Sequence, residues 1–245
     1  MIQEGDKIAI CISGGKDSML LAKCFQELKR HRKMNFELVF LVMDPGYSQK
    51  NKQKIIDNAE ILNIPIIMFK TSIFESVEKI EDHPCYLCAR MRRGYLYKKA
   101  QELGCNKIAL GHHFNDVIET VLMGMLYGAQ IQTMMPKVRS TSHPGMELIR
   151  PLYYVKEIDI IAWERKNGLE FLKCACKMTD GSRGTDQIES KRQEIKKLIA
   201  SLKEIYDNID INIMRSTQNV NLDTIISYYK GNESHNFLDD YDKKL

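Results

Sequence analysis

Ile8-Ala9-Ile10-Cys11-Ile12-Ser13-Gly14-Gly15-Lys16-Asp17-Ser18 is the stretch on which the fold turns. Residues 7–12 read as a buried strand that runs straight into a tight polar loop, and helix-type apolar residues follow from Met19. The adjacent Gly14 and Gly15 allow a sharp bend and let backbone N–H groups approach a ligand closely. The loop then opens a helix, whose first N–H groups and positive dipole end favour an anion. Lys16 adds a mobile cation, and Ser13 and Ser18 add hydroxyl donors. Such a cradle suits a phosphate group. It is not a Walker A loop, which places four residues between its glycines and ends in Gly-Lys-Ser/Thr.

Working outward, Leu21, Phe25 and Leu28 recur at helical spacing over 19–31. Phe36 to Met43 reads as a second strand ending at the turn sequence Asp44-Pro45-Gly46-Tyr47. A helix over 50–62, a third strand over Ile64–Phe69 and a short helix over 72–82 follow. The next helix begins after His83-Pro84 and is stopped by Gly104. Lys107 to Gly111 is the fourth strand, with His112-His113-Phe114-Asn115-Asp116 as its exit loop and a helix beyond. Residues 129–146 look irregular or short-stranded, 156–167 helical, and Glu170 to Lys173 extended as a fifth strand. A charged helix covers about 187–206, and the acidic tail reads as a solvated terminus. Strand–helix alternation at this rhythm predicts an α/β fold, an open parallel Rossmann-like sheet with helices on both faces. The expected organisation is a nucleotide-binding domain over 1–176 and a small helical C-terminal extension over 177–245 packed on it.

The totals bound the function. A chain of 245 residues with 44% hydrophobic and 28% charged residues can bury a substantial core. A net charge of +4 does not announce a nucleic-acid binder, so local clusters must carry that argument. No apolar run approaches a membrane span and no signal-peptide pattern opens the chain, which reads as cytoplasmic. In that compartment seven cysteines argue for metal or redox chemistry rather than a disulfide framework.

Ligands of open α/β sheets bind at the carboxyl ends of strands, near the switch in strand order. Three candidate groups fall at such ends: the 13–18 loop, Asp44 with its turn, and Gly111 to Asp116. Asp17 and Asp116 are candidate Mg²⁺ partners, because Mg²⁺ takes few carboxylates plus phosphate oxygens; a helix N-cap is the competing reading for Asp116. Adjacent His112 and His113 lack metal-ligand spacing, so one backs the loop and the other faces the nucleotide. Cys85-x-x-Cys88 fits half a zinc site, a redox dithiol or part of an iron–sulfur site. Cys174-Ala175-Cys176 offers a third thiolate, whereas Cys11, Cys24 and Cys105 fall at core or packing positions. Between Pro84 and Gln101 there is no acidic residue, while Arg90, Arg92, Arg93, Lys98 and Lys99 all fall there. Arg90, Arg93 and Tyr97 share a helical face by spacing. This patch suits a phosphate backbone, or is a solvated helix face. Lysines and arginines at 137, 139, 191, 192, 196, 197 and 203 extend the basic track, on helices also rich in glutamate.

The order Ser13-Gly14-Gly15-Lys16-Asp17-Ser18 after a first strand resembles the PP-loop of ATP pyrophosphatases. With Cys85-x-x-Cys88-x-Arg90-x-Arg92-Arg93-Gly94, Leu110-Gly111-His112-His113-x-x-Asp116, Ile149-Arg150-Pro151-Leu152 and Ser216-Thr217-Gln218-Asn219-Val220, the chain is similar to the TtcA-like tRNA 2-thiocytidine synthetases of that superfamily. The resemblance implies a PP-loop (adenine nucleotide α-hydrolase-like) fold and an enzyme, an ATP-dependent sulfurtransferase forming AMP and pyrophosphate. ATP and Mg²⁺ would activate C2 of a cytidine in the tRNA anticodon loop, expected at position 32, and sulfur would replace its oxygen. It implies Lys16, Asp17 and Asp116 in catalysis, and Ser13, Gly14, Gly15, Lys16, Asp17, Ser18, Asp44 and Gly111 in ATP binding. A [4Fe–4S] cluster would sit on Cys85, Cys88 and Cys174, with Cys176 the alternative third ligand, and Arg90, Arg92 and Arg93 would contact tRNA. A cysteine desulfurase or other sulfide donor and a homodimer are implied as partners.

The chain departs from the family pattern in three places. Cys174-Ala175-Cys176 stands for a Cys-x-x-Cys, and Asn115 stands for a common second aspartate. The helix that usually precedes the residues matching Ile2–Asp6 is absent or the start is placed late. Thiolation of a tRNA uridine, or an ATP-binding iron–sulfur sensor without thiolation, are the competing functions.

Overall fold

The structure is a computed structural model that describes residues 1–31, 33–73, 84–172 and 187–241. Six strands form one sheet: β1 (Lys7–Ile12), β2 (Glu37–Asp44), β3 (Ile66–Lys70), β4 (Lys107–Ala109), β5 (Lys137–Arg139) and β6 (Glu147–Ile149). Their order across the sheet is β3-β2-β1-β4-β6-β5, parallel throughout except for the antiparallel edge strand β5. The chain steps outward from β1 through β2 to β3, then crosses back to lay β4 on the other side of β1. The switch point therefore lies between β1 and β4, which places the crevice at their carboxyl ends.

The apolar run of β1 is buried on both faces. Ile8, Ile10 and Ile12 point into one core layer with Met19, Leu21 and Phe25 of helix α1 (Lys16–Arg30) and Ile55 and Ala59 of helix α2 (Gln49–Ile61). Ala9 and Cys11 point into the opposite layer, against Tyr97 and Ala100 of helix α3 (Pro84–Glu102). Alternate strand residues facing two helical layers account for the unbroken hydrophobicity of residues 8–12.

Two expectations are corrected. Helix α1 begins at Lys16 rather than at Met19, because the polar Lys16-Asp17-Ser18 forms its first turn and carries no apolar periodicity. The fifth strand is not Glu170–Lys173: Glu170 to Leu172 lie outside the sheet, and Glu147–Ile149 takes the place beside β4. Phe171 stacks on Trp163 of helix α5 (Glu157–Lys166), with centroids 5.8 Å apart, and the Leu172 N–H bonds to Gly14 O at 3.1 Å. The short helix expected over 72–82 lies mostly outside the described residues.

Helix α4 (Phe114–Gly128) leaves the β4 exit loop and carries Phe114, Val117 and Ile118 against Ile195 and Ile199 of helix α6 (Gln187–Ile205) and Met214 of helix α7 (Ile209–Ser216). The C-terminal helices are thus packed on the sheet domain through α4. Beyond them the extension is not wholly helical: strands β7 (Ser227–Lys230) and β8 (Glu233–Asn236) form a hairpin, followed by the short helix α8 (Leu238–Tyr241). Among the described residues no helix is long and apolar enough to cross a membrane.

Candidate active site at the switch point of the sheet

The loop between β1 and α1 is built from its own side chains. Gly14 has φ +87°, and a Cβ there would lie 2.7 Å from Ile55 Cγ1 and 2.9 Å from Leu172 Cδ1, so only glycine fits. Gly15 is the extended N-cap of α1, so the N–H groups that follow it have no intrahelical acceptor. Ser18 is buried, with Oγ accepting from Ser13 N at 3.1 Å and donating to Gly15 O at 2.9 Å. Its one hydroxyl proton is thereby committed to bracing the loop, and the exposed Ser13 joins the brace by donating its hydroxyl to Ser18 Oγ at 3.2 Å.

Two further strand ends close on this loop. Gly111 lies so near the first turn of α1 that a Cβ would meet the Asp17 carbonyl carbon and the Ser18 nitrogen, both at 3.0 Å. His113 Nε2 stands 3.8 Å from Asp17 Oδ1 and 3.6 Å from Asp116 Oδ2. Asp116 is not the N-cap of α4, which is His113, but the third helical residue, whose Oδ2 accepts the His113 N–H at 3.0 Å to complete a capping box. His112 Nδ1 lies 3.4 Å from Arg150 Nε; burial, joined by the cations Arg150, Arg192 and Arg93, pushes its pKa down to about 4 against the pull of Asp116. It is a neutral imidazole backing the loop near pH 7, and His113 is the histidine that faces the carboxylates.

Asp44 is placed differently from the expectation. It is buried, its Oδ1 accepts from Gly46 N at 2.9 Å and Tyr47 N at 2.7 Å, and its Oδ2 pairs with Lys52 at 2.8 Å. Burial alone would raise its pKa, but the Lys52 ammonium and the two N–H groups hold it below the usual carboxylate range. Asp44 shapes the turn after β2, and that turn presents Tyr47, whose hydroxyl donates to Ser13 O at 3.5 Å.

The basic helix α3 is tied to the same loop. Arg92 Nη2 donates to Tyr47 Oη at 3.1 Å, whereas Arg90 and Arg93 are exposed. Tyr97 does not share an outward face with Arg90 and Arg93: it is buried and stacked on His143 with centroids 4.8 Å apart. Cys85 and Cys88 occupy the first turn of α3, three residues apart, and Arg92 follows Cys88 by one turn. Cys174 and Cys176 lie outside the described residues. Among the described residues, the Leu172 N–H bonds to Gly14 O, and helix α3 reaches the loop through Arg92 and Tyr47. Cys11 and Cys105 are buried in the core, and burial pushes the Cys11 thiol up to about 12, an inert position.

Sequence reasoning missed two residues here, Glu157 and Glu119. Glu157 Oε1 pairs with Lys16 Nζ at 3.0 Å, and Glu119, 2% exposed, faces Arg192 and Lys196 of helix α6. Burial, only partly opposed by those two cations, pushes Glu119 up to about 7. Asn115, in place of an acidic residue, uses Oδ1 to accept the Glu157 N–H at 3.0 Å and so joins the β4 exit loop to the start of α5. The available sequence signal was the spacing of Glu119 three residues after Asp116 on one helix.

The donor set fits Mg²⁺ and a thiolate-bound cluster in different ways. Asp17 Oδ1 and Glu119 Oε2 are buried carboxylate oxygens that rest on ion pairs alone, with Lys16 Nζ at 3.0 Å and Arg192 Nε at 3.2 Å, and have no well-aligned hydrogen bond among the described residues. No group of three or more ligating side chains among the described residues surrounds one point. One or two carboxylates completed by phosphate oxygens and water is the arrangement Mg²⁺ accepts. Cys85 and Cys88, by residue type, are the soft donors iron–sulfur clusters use, and Arg92, one turn further along α3, is hydrogen-bonded to Tyr47.

A family model described as PP-loop domain matches residues 2–180. The tRNA-cytidine(32) 2-sulfurtransferase of Pelobacter propionicus is 34% identical over 224 residues, 90% of this chain and 80% of that protein. The protein of the same name from Geobacter sulfurreducens is 32% identical over 224 residues, covering 90% of this chain and 84% of its own. Among solved structures, the U34-tRNA thiolase NcsA from Methanococcus maripaludis, with its [4Fe-4S] cluster, has a TM-score of 0.68 at 21% identity, over 88% of this chain and 72% of that one. That likeness is one of fold. A phosphate-type loop at the sheet's switch point, the matching family model and relatives alike over most of both lengths lead to one conclusion: the chain belongs to the PP-loop family and, within it, to the family of the tRNA-cytidine(32) 2-sulfurtransferases.

Proposed function

We propose that the protein is an ATP-dependent tRNA sulfurtransferase that adenylates the C2 oxygen of a cytidine, position 32 of the anticodon loop, and replaces it with sulfur. The observation that carries this reading is the joining of two chemistries at one sheet edge. The Arg92–Tyr47–Ser13 and Leu172–Gly14 contacts join helix α3, on which Cys85 and Cys88 lie, and the residue two before Cys174 to the loop that would cradle phosphate.

A pyrimidine C2 oxygen is a poor leaving group. Its attack on the α-phosphate of ATP expels pyrophosphate and leaves the oxygen as part of AMP, which departs readily when sulfur adds at C2. Lys16 and the N–H groups of the α1 first turn would stabilise charge building on the departing pyrophosphate, a fixed electrostatic role. Gly14, Gly15 and Gly111 let backbone approach the nucleotide, and Ser13 offers a hydroxyl. Asp17 and Asp116 would share Mg²⁺ with phosphate oxygens. Held by Cys85, Cys88 and Cys174, a [4Fe–4S] cluster would supply an iron open to a sulfur ligand. Exposed Arg90 and Arg93 are the tRNA-backbone contacts, and Arg92 works from within by locating Tyr47. The reading includes a cytoplasmic location, a homodimer, a desulfurase-type sulfide donor and a division at about residue 176 between the nucleotide domain and its extension.

Anaerobic purification is expected to give a brown protein with broad absorbance near about 400 nm. Cys85→Ser, Cys88→Ser and Cys174→Ser are expected to lose both the colour and ATP-dependent sulfur incorporation into tRNA, while Cys176→Ser keeps both. A colourless Cys176→Ser beside an intact Cys174→Ser moves the third ligand. Stoichiometric zinc without iron after reconstitution contradicts the cluster assignment.

A further inference from the structure

Helix α6 belongs to the C-terminal extension, yet two of its side chains reach the carboxylates around the loop. Ile195 and Ile199 are buried against α4, and this seam fixes the rotation of the helix. Arg192 and Lys196, one turn apart and flanking Ile195, are thereby directed at the crevice. Arg192 Nε lies 3.2 Å from Glu119 Oε2, and Arg192 Nη1 lies 3.9 Å from Asp116 Oδ1. Lys196 Nζ lies 3.7 Å from Glu119 Oε1 and 3.7 Å from Glu157 Oε2. Glu157 in turn pairs with Lys16, which also pairs with Asp17 at 3.0 Å. Lys16, Glu157, Lys196, Glu119, Arg192, Asp116, His113 and Asp17 thus form a closed ring of charged and polar groups around the loop.

The geometry within the ring is that of shared charges rather than finished pairs. Glu119 Oε2 is buried and without a hydrogen-bond partner among the described residues, even with a guanidinium beside it. Burying a carboxylate in such incomplete company is costly, so the pairing is a poor stability device. The Arg192 and Lys196 side chains remain 39% and 40% exposed, and guanidinium donors suit phosphate oxygens bidentately.

We propose that Arg192 and Lys196 are phosphate-binding residues of the ATP site, which take the β- and γ-phosphates that leave as pyrophosphate. Docking of helix α6 is then part of building the nucleotide site, and these two residues leave the RNA track that runs over the surface. The carboxylates Glu119, Asp116 and Glu157 hold the cations at the rim and share them with the phosphates. The proposal rests on the assignment of residues 13–18 to ATP.

Calorimetry on the full-length holoprotein with ATP, AMP and inorganic pyrophosphate tests it. Arg192→Ala and Lys196→Met are expected to weaken ATP and pyrophosphate about 10- to 100-fold, the worth of a charge-assisted contact. AMP, which lacks the terminal phosphates, should change by less than about threefold, and Arg192→Lys should recover part of the loss. Equal weakening of ATP and AMP would mean that the residues only hold the helix in place, and would overturn the proposal. So would unchanged ATP and pyrophosphate binding with weakened tRNA binding, which returns both residues to the RNA track. Failure of the underlying assignment shows separately, as Lys16→Ala binding ATP like the wild type, and it overturns both.

Discussion

Gly111→Ala is expected to reduce ATP-dependent thiolation by about two orders of magnitude while the protein still folds, an effect of the size that a misplacement of about 1 Å produces in a reacting site. The added Cβ would lie 3.0 Å from the Asp17 carbonyl carbon, 3.0 Å from Ser18 N and 3.1 Å from Asp17 O. All three are backbone atoms of the first turn of α1, and no rotamer change can relieve the contact. The two strand ends must part, which moves the N–H groups, Lys16 and Asp17 away from Asp116 and His113. The folding penalty is that of a modest overpacking, about 1–3 kcal/mol. Steady-state kinetics beside a thermal melt separate the two effects. Wild-type kcat/KM in this variant would show that the approach of β4 to α1 does not shape the site.

At the opposite end of the same strands, Lys107→Met is expected to cost about 3–5 kcal/mol of stability and to leave turnover per folded molecule unchanged. Lys107 is 1% exposed, its ammonium pairs with buried Asp6, and it lies 3.4 Å from Glu147 Oε2 and 3.3 Å from Gln3 Oε1. It pairs with Ile8 in the β1–β4 register, so the charge cluster ties down the amino ends of both strands. Removing the ammonium strands the Asp6 carboxylate with only the Asn106 amide at 2.8 Å and the Gln3 N–H at 2.6 Å. Burial acts to raise the Asp6 pKa, but Lys107, Asn106 and the Gln3 N–H outweigh it and hold it below the usual carboxylate range. Because the folded value is depressed, the contribution of Asp6 is present above about pH 4 and is lost as pH falls through the folded value. The gap between variant and wild type should accordingly be widest near neutral pH and narrow below about pH 4 in chemical-denaturation titrations. A constant gap from pH 7 to pH 3 would show that the pair is not what stabilises this end of the sheet.

These two sites also show what the sequence made legible. The strands of the sheet centre announced themselves because burial on both faces leaves no polar position from Ile8 to Ile12 or from Leu38 to Met43. The loop and the two exit turns were readable from residue chemistry, and the switch point joined them. Strand β6 was hidden: three residues, Glu147-Leu148-Ile149, carry too little pattern to stand out after an irregular stretch. Glu170 to Leu172 showed the reverse error. Its apolar residues are buried as expected of a strand, but Trp163 and Gly14 are their partners, and periodicity reports burial without naming the partner. The ring of Glu119, Glu157, Arg192 and Lys196 was illegible for a related reason. Glutamates and lysines on amphipathic helices read as a solvated face, and only the α4–α6 seam turns these four toward the loop. Asp44 and Ser18, expected in ATP binding, are buried polar residues whose hydrogen bonds brace the turns around the site.

The central claim is that this PP-loop acts on a tRNA cytidine. Its most direct test is mass spectrometry of nucleosides digested from the total tRNA of a strain lacking the gene. The account predicts that 2-thiocytidine disappears, returns with the wild-type gene and does not return with Lys16→Ala. Undiminished 2-thiocytidine, with a 2-thiouridine lost in its place, would contradict it.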